Sequence, residues 1–248
     1  MGWLQRQLCS LLRVDHLPGG SAVQTERSPA EELANAITHG LGVLLALAGG
    51  ISLIVLSASQ AGVREVISAA VFTTTLVMMY AASTLYHAVS HTRIKQRLKV
   101  FDHCAIFLLI AGTYTPFTVA ILKGTLGWSL FGVVWGLAVA GIVMKWFFTG
   151  RMRLLSTLIY VLMGWIAIVA VVPISRALAP ATLYWLLGGG VAYTAGTLFY
   201  HNRRIPYSHT IWHLFVLTGS ACHFIAILHQ FTLPDSLGVA GATGAVSG

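Results

Sequence analysis

The sequence has few charged side chains and few cysteines. Charged residues make up 9% of its 248 positions, whereas hydrophobic residues make up 56%. Soluble domains carry about 25% charged residues, so this composition excludes an ordinary soluble protein and indicates a polytopic membrane protein. The three cysteines, Cys9, Cys104 and Cys222, are far apart and form no C-x-x-C pair. They give no support for dithiol redox chemistry or a disulfide framework.

The formal net charge is +8, but the basic residues do not indicate a nucleic-acid surface. Lys and Arg occur in short stretches between apolar segments rather than along one groove or helix stripe. We therefore expect membrane lipids, and not nucleic acid, as the partners of this chain.

What the sequence does contain is a series of apolar segments of about twenty residues, the length that a helix needs to cross a hydrocarbon core of roughly 30 Å. The sequence predicts seven of them, at 35–57, 66–89, 101–122, 127–148, 154–174, 179–200 and 208–231. The runs lack the alternation of barrel strands, and only helices and closed barrels satisfy their backbone in lipid. We therefore predict an all-α membrane protein, a seven-transmembrane helix bundle of residues 34–231. Pro116 and Gly188–Gly190 interrupt the apolar pattern of the third and sixth helices, where we expect a kink and close helix packing.

The distribution of Lys and Arg predicts the orientation of this bundle, because cytoplasmic loops carry an excess of both. Twelve of the fifteen basic residues, Lys145 among them, lie in the first segment and in the second, fourth and sixth loops. Only Arg64, Lys123 and Arg176 lie on the opposite side. The prediction is a multi-pass protein of the cell membrane with a cytoplasmic N-terminus and an external or periplasmic C-terminus.

Two flanking segments complete the predicted organisation. Residues 1–33 form a cytoplasmic segment, in which apolar residues at helical spacing between Trp3 and Val14 favour a short interfacial helix. Residues 232–248 are expected to be a flexible tail, since positions 238–248 contain only Gly, Ala, Val, Ser and Thr.

The few polar side chains of the apolar segments converge at the predicted cytoplasmic end. Ser83 and His87 share one face near the end of the second helix, and Asp102, the one carboxylate within the predicted spans, begins the third. His209 and His213 share one face at the start of the seventh helix. Ionisable groups are costly in lipid and usually functional, so this convergence predicts a site.

Two interpretations of the histidines remain open from the residues themselves. Three imidazoles and one open position match a catalytic zinc site, in which His87, His209 and His213 bind the metal and a water takes the fourth position. In the other interpretation the histidines cap helix ends or form hydrogen bonds within the bundle. The H-x-x-x-H spacing does not decide, because His87 and His91 form a second such pair.

Under the zinc interpretation, two further residues have roles in hydrolysis of an acyl compound. Asp102 would hold the water and accept its proton as general base, and Ser83 would orient the water or stabilise an oxyanion. We expect structural hydrogen bonds rather than metal ligation for the other histidines within the helices. One of them is His103, which helical geometry predicts to face away from Asp102. The others are His39, His223 and His229.

Five motifs follow one another along nearly the whole chain. They are Glu32-x-x-Asn35-x-x-Thr38-His39, Ser83-Thr84-Leu85-Tyr86-His87, Asp102-His103 through Ala111-Gly112-Thr113-Tyr114-Thr115-Pro116, Gly196-x-x-Phe199-Tyr200 and His209-x-x-Trp212-His213. This ordered set resembles the hemolysin III branch of the progestin and adipoQ receptor family, and the short N-terminal segment resembles its bacterial members.

The resemblance implies a seven-helix bundle with a cytoplasmic N-terminus. It also implies zinc held by His87, His209 and His213, with Asp102 on the zinc-bound water. Other branches of the family are similar to alkaline ceramidases, which implies hydrolysis of lipid amides, whereas the name of this branch refers to cytolysis.

Several other classes of seven-helix protein are disfavoured. The seventh segment has no lysine for a retinal Schiff base, and the histidines cluster at one end rather than at the central depth of a haem site. The outer halves are too apolar for a wide channel, and no internal repeat indicates a transporter. Two functions remain: a zinc-dependent hydrolase of acyl or amide lipids, or a non-enzymatic membrane protein. The second would be a lipid or membrane-state sensor with structural zinc, or a cytolytic protein.

We expect residues 91–100 to lie in the cytoplasm, because they carry four of the fifteen basic side chains. A phosphatase reporter that is active only outside the cytoplasm tests this orientation. Fused within 91–100 it should be inactive, and fused beside Arg64 or at the C-terminus it should be active. The opposite pattern of activity would invert the predicted topology.

Overall fold

The fold is taken from a computed structural model, which describes residues 27–122, 124–149, 152–202 and 204–232. The interfacial helix predicted within positions 3–14 lies outside the described residues, as do positions 233–248 of the predicted tail.

The described residues form helices and no strand, as predicted. The helices are α1 (Pro29–Gln60), α2 (Val63–Ala88), α3 (Thr92–Thr115), α4 (Thr125–Phe148), α5 (Arg153–Gly164), α6 (Val171–Ala177), α7 (Pro180–His201) and α8 (Ser208–Thr232). A π-helical turn, Pro116–Ile121, extends α3, and a 3-10 helix, Ile166–Ala170, joins α5 and α6 into one broken rod.

Six of these rods are long and apolar enough to cross a membrane, which supports a multi-pass membrane protein. They are α1, α2, extended α3, α4, the α5–α6 rod and α8. The remaining predicted segment forms α7, which has 22 residues but is not among the six. Its glycines, threonines and tyrosines lower its hydropathy.

Two helices begin six or more residues earlier than the apolar pattern predicts. α1 begins at Pro29, because the Ser28 Oγ accepts a hydrogen bond from the Glu31 N–H (3.1 Å) and proline is favoured in the first turn. The prediction that Asp102 is the one carboxylate within a span is therefore wrong, since α1 also contains Glu32. Positions 92–100, which we predicted as a loop, form the first turns of α3.

The interruptions of the helices also differ in part from the prediction. Pro116 begins the π-helical turn, as a proline that lacks a backbone N–H permits. Gly188–Gly190 lie inside continuous α7 without a break, and the expected close packing is found at Gly189, where an added Cβ atom would overlap the ring of His223. The break occurs instead after Gly164, where the Tyr114 hydroxyl donates to the Gly164 carbonyl (2.7 Å) and accepts from the Ala167 N–H (3.0 Å). These two bonds satisfy backbone groups that a break in lipid would leave unpaired.

The rods pack in a ring, with α8 returning to contact α1. The largest part of the apolar core joins α1, α2, α3 and α8 around Leu53, Phe72 and Ile227. A second part joins α3, α4 and α5 around Phe107 and Val134. The contacts that α5 makes with α4 and α7 are sparse compared with those between α7 and α8. Space consequently remains inside the ring on the α5 side.

We expect Gly141→Ala to destabilise the bundle, because a Cβ atom there would overlap the ring of fully buried Phe107. Gly136→Ala is the matched control on the same helix, since nothing lies within 4 Å of its added Cβ. Both changes alter helix propensity equally, so their difference reports the overpacking, which costs about 1–3 kcal/mol. Thermal unfolding in detergent should show the lower melting temperature for Gly141→Ala. Equal melting of the two variants would contradict this packing.

Candidate metal centre

Three histidines from two helices meet inside the bundle. His87 lies in the last turn of α2, and His209 and His213 lie one turn apart at the start of α8. The ring centroid of His87 is 5.1 Å from that of His209 and 5.0 Å from that of His213, and the latter two are 4.7 Å apart. Each ring offers one nitrogen within 4.8 Å of the other two, and all three residues are buried. The group is able to hold one metal ion.

The hydrogen bonds around the group support metal binding. Buried His87 Nε2 has no hydrogen-bond partner among the described residues. The Nδ1 atom of His213 is already in contact with the Thr38 hydroxyl and the Asn35 carbonyl, at 3.2 Å each. A buried imidazole nitrogen without a partner costs free energy, and a metal ion at this place would remove that cost. The residues present therefore fit a metal bound by three imidazoles.

One face of α1 contacts these rings, and the sequence did not predict that α1 takes part in the site. The Glu32 carboxylate lies 2.9 Å from His87 Nδ1. Asn35 and Thr38 contact His213, and the ring of His39 stacks on that of His213 with centroids 3.5 Å apart. The signal was present in the first motif, because its polar residues recur at the spacing of one helical face within an apolar segment.

The proposed catalytic residues line the same cavity as the three histidines. Ser83 is buried on α2, one turn before His87. Asp102 lies outside the group of three histidines, and its side chain is 13% exposed. Its Oδ2 atom lies 3.7 Å from His103 Nδ1. The prediction that His103 faces away from Asp102 is therefore wrong.

The other histidines differ in their partners. His229 Nδ1 lies 3.0 Å from the Thr182 hydroxyl and His223 Nε2 lies 3.3 Å from the Leu186 carbonyl, so the predicted hydrogen bonds are confirmed there. His103 Nδ1 contacts the Lys99 carbonyl (2.6 Å). His39 departs from the prediction, since neither of its ring nitrogens has a hydrogen-bond partner within the described ranges. It is held by stacking on His213 instead.

A cavity of about 1290 Å³ extends from the histidines through the bundle. It is larger than the roughly 300–1,000 Å³ of pockets for drug-sized ligands. Asp102 lines one end and Leu122 the other, and helical geometry puts roughly 30 Å between them. The far part is mostly apolar, and Phe117, Leu130 and Leu178 are among the residues that line it. The shape suits a long apolar chain whose polar end lies at the histidines.

Basic side chains gather where the cavity reaches the predicted cytoplasmic end. Arg27, Lys95, Lys99 and Arg153 all line this part. Lys145, counted with the loops in the charge distribution, is instead buried in the last turn of α4, with its Nζ 5.9 Å from the centroid of the Tyr160 ring.

Comparisons with known proteins match most of the chain, including the residues of the candidate metal centre. The model of a family described as haemolysin-III related matches residues 28–224. The chain is 47% identical to a hemolysin-3 homolog of Bacillus subtilis (strain 168) over 198 residues, which cover 80% of this chain and 93% of the relative. It is 42% identical to hemolysin-3 of Bacillus cereus over 206 residues, 83% and 94% of the two chains.

A more distant relative is the human monocyte to macrophage differentiation factor. It is 28% identical over 205 residues, which cover 79% of this chain and 83% of the relative. The resemblance drawn from the five motifs is thereby confirmed.

We expect the purified protein to contain about one transition-metal ion per chain, and His213→Ala to lose most of it, because a three-ligand site that loses one imidazole binds weakly. His229→Ala on the same helix is the matched control and should keep the metal, since its ring contacts Thr182 and not the group of three. Elemental analysis of both variants gives the answer. Full metal content in His213→Ala would contradict the site.

Proposed function

This chain belongs to the haemolysin III-related family of membrane proteins, and from that premise we propose that it is a zinc-dependent hydrolase of acyl or amide lipids. The observation that carries the proposal is the placement of three convergent imidazoles at one end of a long apolar cavity. A carboxylate, Asp102, and a hydroxyl, Ser83, line the same cavity. This combination of groups is the one that metal-assisted hydrolysis of a lipid requires.

Zinc is the metal we propose, because three imidazoles leave its fourth position open and the bound ion lowers the pKa of water to about 7. His87, His209 and His213 would hold it. Asp102 would accept a proton as general base, and its partial exposure lets it exchange that proton with solvent. Ser83 would donate its hydroxyl hydrogen bond to the oxygen on which negative charge develops.

The apolar part of the cavity would bind the hydrocarbon chain of the substrate. The whole cavity, polar end included, extends for roughly 30 Å along extended α3, which is comparable to the hydrocarbon thickness of a bilayer. Four basic side chains line the polar end against three carboxylates, and this small positive excess favours a substrate or product with a negatively charged group at that end.

We further propose seven crossings with a cytoplasmic N-terminus and an external C-terminus. The 22 residues of α7 extend for roughly 33 Å, enough to cross. Tyr184, Leu187, Val191 and Leu198 of that helix are exposed, as side chains that contact lipid would be. In that orientation, which the charge distribution supports, the three histidines would lie at the cytoplasmic side.

A second candidate is a non-enzymatic lipid or membrane-state sensor with structural zinc. It is favoured by the position of the group between α2 and α8, which a metal ion would hold together. The relatives named hemolysin-3 also suggest membrane lysis as an activity. Both alternatives differ from hydrolysis in that Asp102 need not transfer a proton.

We expect Asp102→Asn to abolish lipid hydrolysis while leaving the zinc bound, because the carboxylate is assigned to the water and not to the metal. Loss of a general base costs about 10²–10⁴ in rate. Ser83→Ala should have a smaller effect. Purified protein in vesicles that contain amide-linked and ester-linked lipids would be assayed for fatty-acid release and, in parallel, for leakage of a trapped dye.

Glu65→Gln is the control for this experiment, since Glu65 caps the other end of α2 through its bond to the Gly62 N–H (3.1 Å). It should hydrolyse lipid at the wild-type rate. Equal fatty-acid release by wild type and Asp102→Asn would remove Asp102 from the mechanism. Dye leakage without any fatty-acid release would favour the cytolytic alternative, and neither release nor leakage would favour the sensor.

A further inference from the structure

Lys95 and Glu32 form a chain of hydrogen bonds that leads to one of the three proposed metal ligands, His87. The Lys95 ammonium donates to the Glu32 carboxylate (2.8 Å), and the same carboxylate oxygen lies 2.9 Å from His87 Nδ1. From this geometry, and resting on the proposed zinc site, we infer that Glu32 is a positioning residue that sets the tautomer and ring orientation of His87, with Lys95 holding Glu32 in place.

The direction of the Glu32 contact follows from the chemistry of the two groups. An ionised carboxylate only accepts hydrogen bonds, so the proton of a neutral His87 ring must lie on Nδ1. Its Nε2 atom then carries the free lone pair that a metal requires. That atom is buried without a hydrogen-bond partner among the described residues, and its ring belongs to the group of three histidines. One contact thus selects the tautomer that is able to bind metal.

Lys95 makes this contact rigid. Its ammonium has three N–H donors, and the structure has three acceptors for them: Glu32 Oε2 at 2.8 Å, the Tyr86 carbonyl at 3.2 Å and the Val89 carbonyl at 3.3 Å. Tyr86 and Val89 lie on either side of His87 in the sequence. Lys95 therefore fixes the carboxylate relative to the same turn of α2 that carries the ligand.

Glu32 also differs from the groups around another ligand. His213 Nδ1 contacts a hydroxyl and a backbone carbonyl, both neutral. A hydrogen bond to a charged acceptor is about twice as strong as a neutral one. Carboxylates that accept from the second nitrogen of a metal-binding histidine raise its basicity and fix its orientation. Glu32 is placed to do this for His87.

A purely structural role for Glu32 is the competing interpretation. The ion pair of Glu32 with Lys95 would then only fasten α1 to α3, and the 3.5 Å contact with Arg27 would only fasten the residues before α1 to that helix. That interpretation predicts a lower melting temperature on removal of Glu32 but an unchanged tautomer of His87. The two interpretations therefore differ in what they predict for the metal-free protein.

The experiment compares Glu32→Ala with Glu31→Ala, a neighbour that loses the same charge from the same turn of α1. Zinc affinity is measured by competition with a chelator, and the tautomer of His87 by ¹⁵N NMR of metal-free protein labelled at histidine. Glu32→Ala should weaken zinc binding 10-fold to 100-fold. It should also convert His87 from a single Nδ1-protonated form to a mixture. Glu31→Ala should change neither, and Glu32→Gln, whose amide oxygen still accepts, should lose less affinity.

Zinc affinity within twofold of wild type in Glu32→Ala, or an equal loss in Glu31→Ala, would overturn the inference. So would an unchanged His87 tautomer accompanied by a lower melting temperature. If the wild type binds no zinc, the proposed function fails, and the NMR spectra of metal-free wild type and variants still decide whether Glu32 sets the tautomer. If Glu32→Ala does not fold, the same spectra of Glu32→Leu decide, because leucine keeps much of the side-chain volume but cannot accept a hydrogen bond, and an Nδ1-protonated fraction equal to that of wild type overturns the inference.

Discussion

The burial of imidazoles in an apolar bundle is the constraint on which the histidine end of this protein depends. A buried polar nitrogen is costly unless it has a partner, and water is not available inside lipid to supply one. α1 meets this requirement by presenting Glu32, Asn35 and Thr38 to rings that come from α2 and α8. Asn35 also accepts from the Thr210 hydroxyl of α8 (2.7 Å). The closure of the helix ring and the arrangement of the candidate ligands therefore rest on the same contacts.

The fold was largely predictable from the sequence, because hydropathy and span length are properties of each segment by itself. The seven apolar segments correspond to the rods of the structure, although the number of crossings stays a prediction. The helix ends were less predictable, because the first turns after Ser28 and His91 are polar and hydropathy does not identify a polar turn as part of a helix. The break after Gly164 was not predictable at all. It depends on the Tyr114 hydroxyl from another helix, and the residues at the break are as apolar as those around them.

The candidate site was predictable to the extent that helix register determines it. His209 and His213 share one helix face because they are four residues apart. His87 was predicted beside them because it lies at the same end of the bundle. Glu32 was missed because α1 was predicted to begin after it. The predicted orientation of His103 was wrong, because the position of a residue on a helix gives only the direction of its Cβ atom. Side-chain torsions then decide where the ring lies. The cavity depends on how far apart neighbouring helices pack, which no single segment encodes.

The apolar lining of the cavity has a consequence for selectivity. An acyl chain that entered from the bilayer would exchange one hydrocarbon environment for another, so its transfer would release almost no structured water and contribute little net free energy. Discrimination between lipids must then arise at the polar end of the cavity, where the imidazoles, Asp102 and the basic side chains lie. Such a pocket would tolerate variation in the tail of a lipid and would distinguish lipids by the linkage and charge of their head.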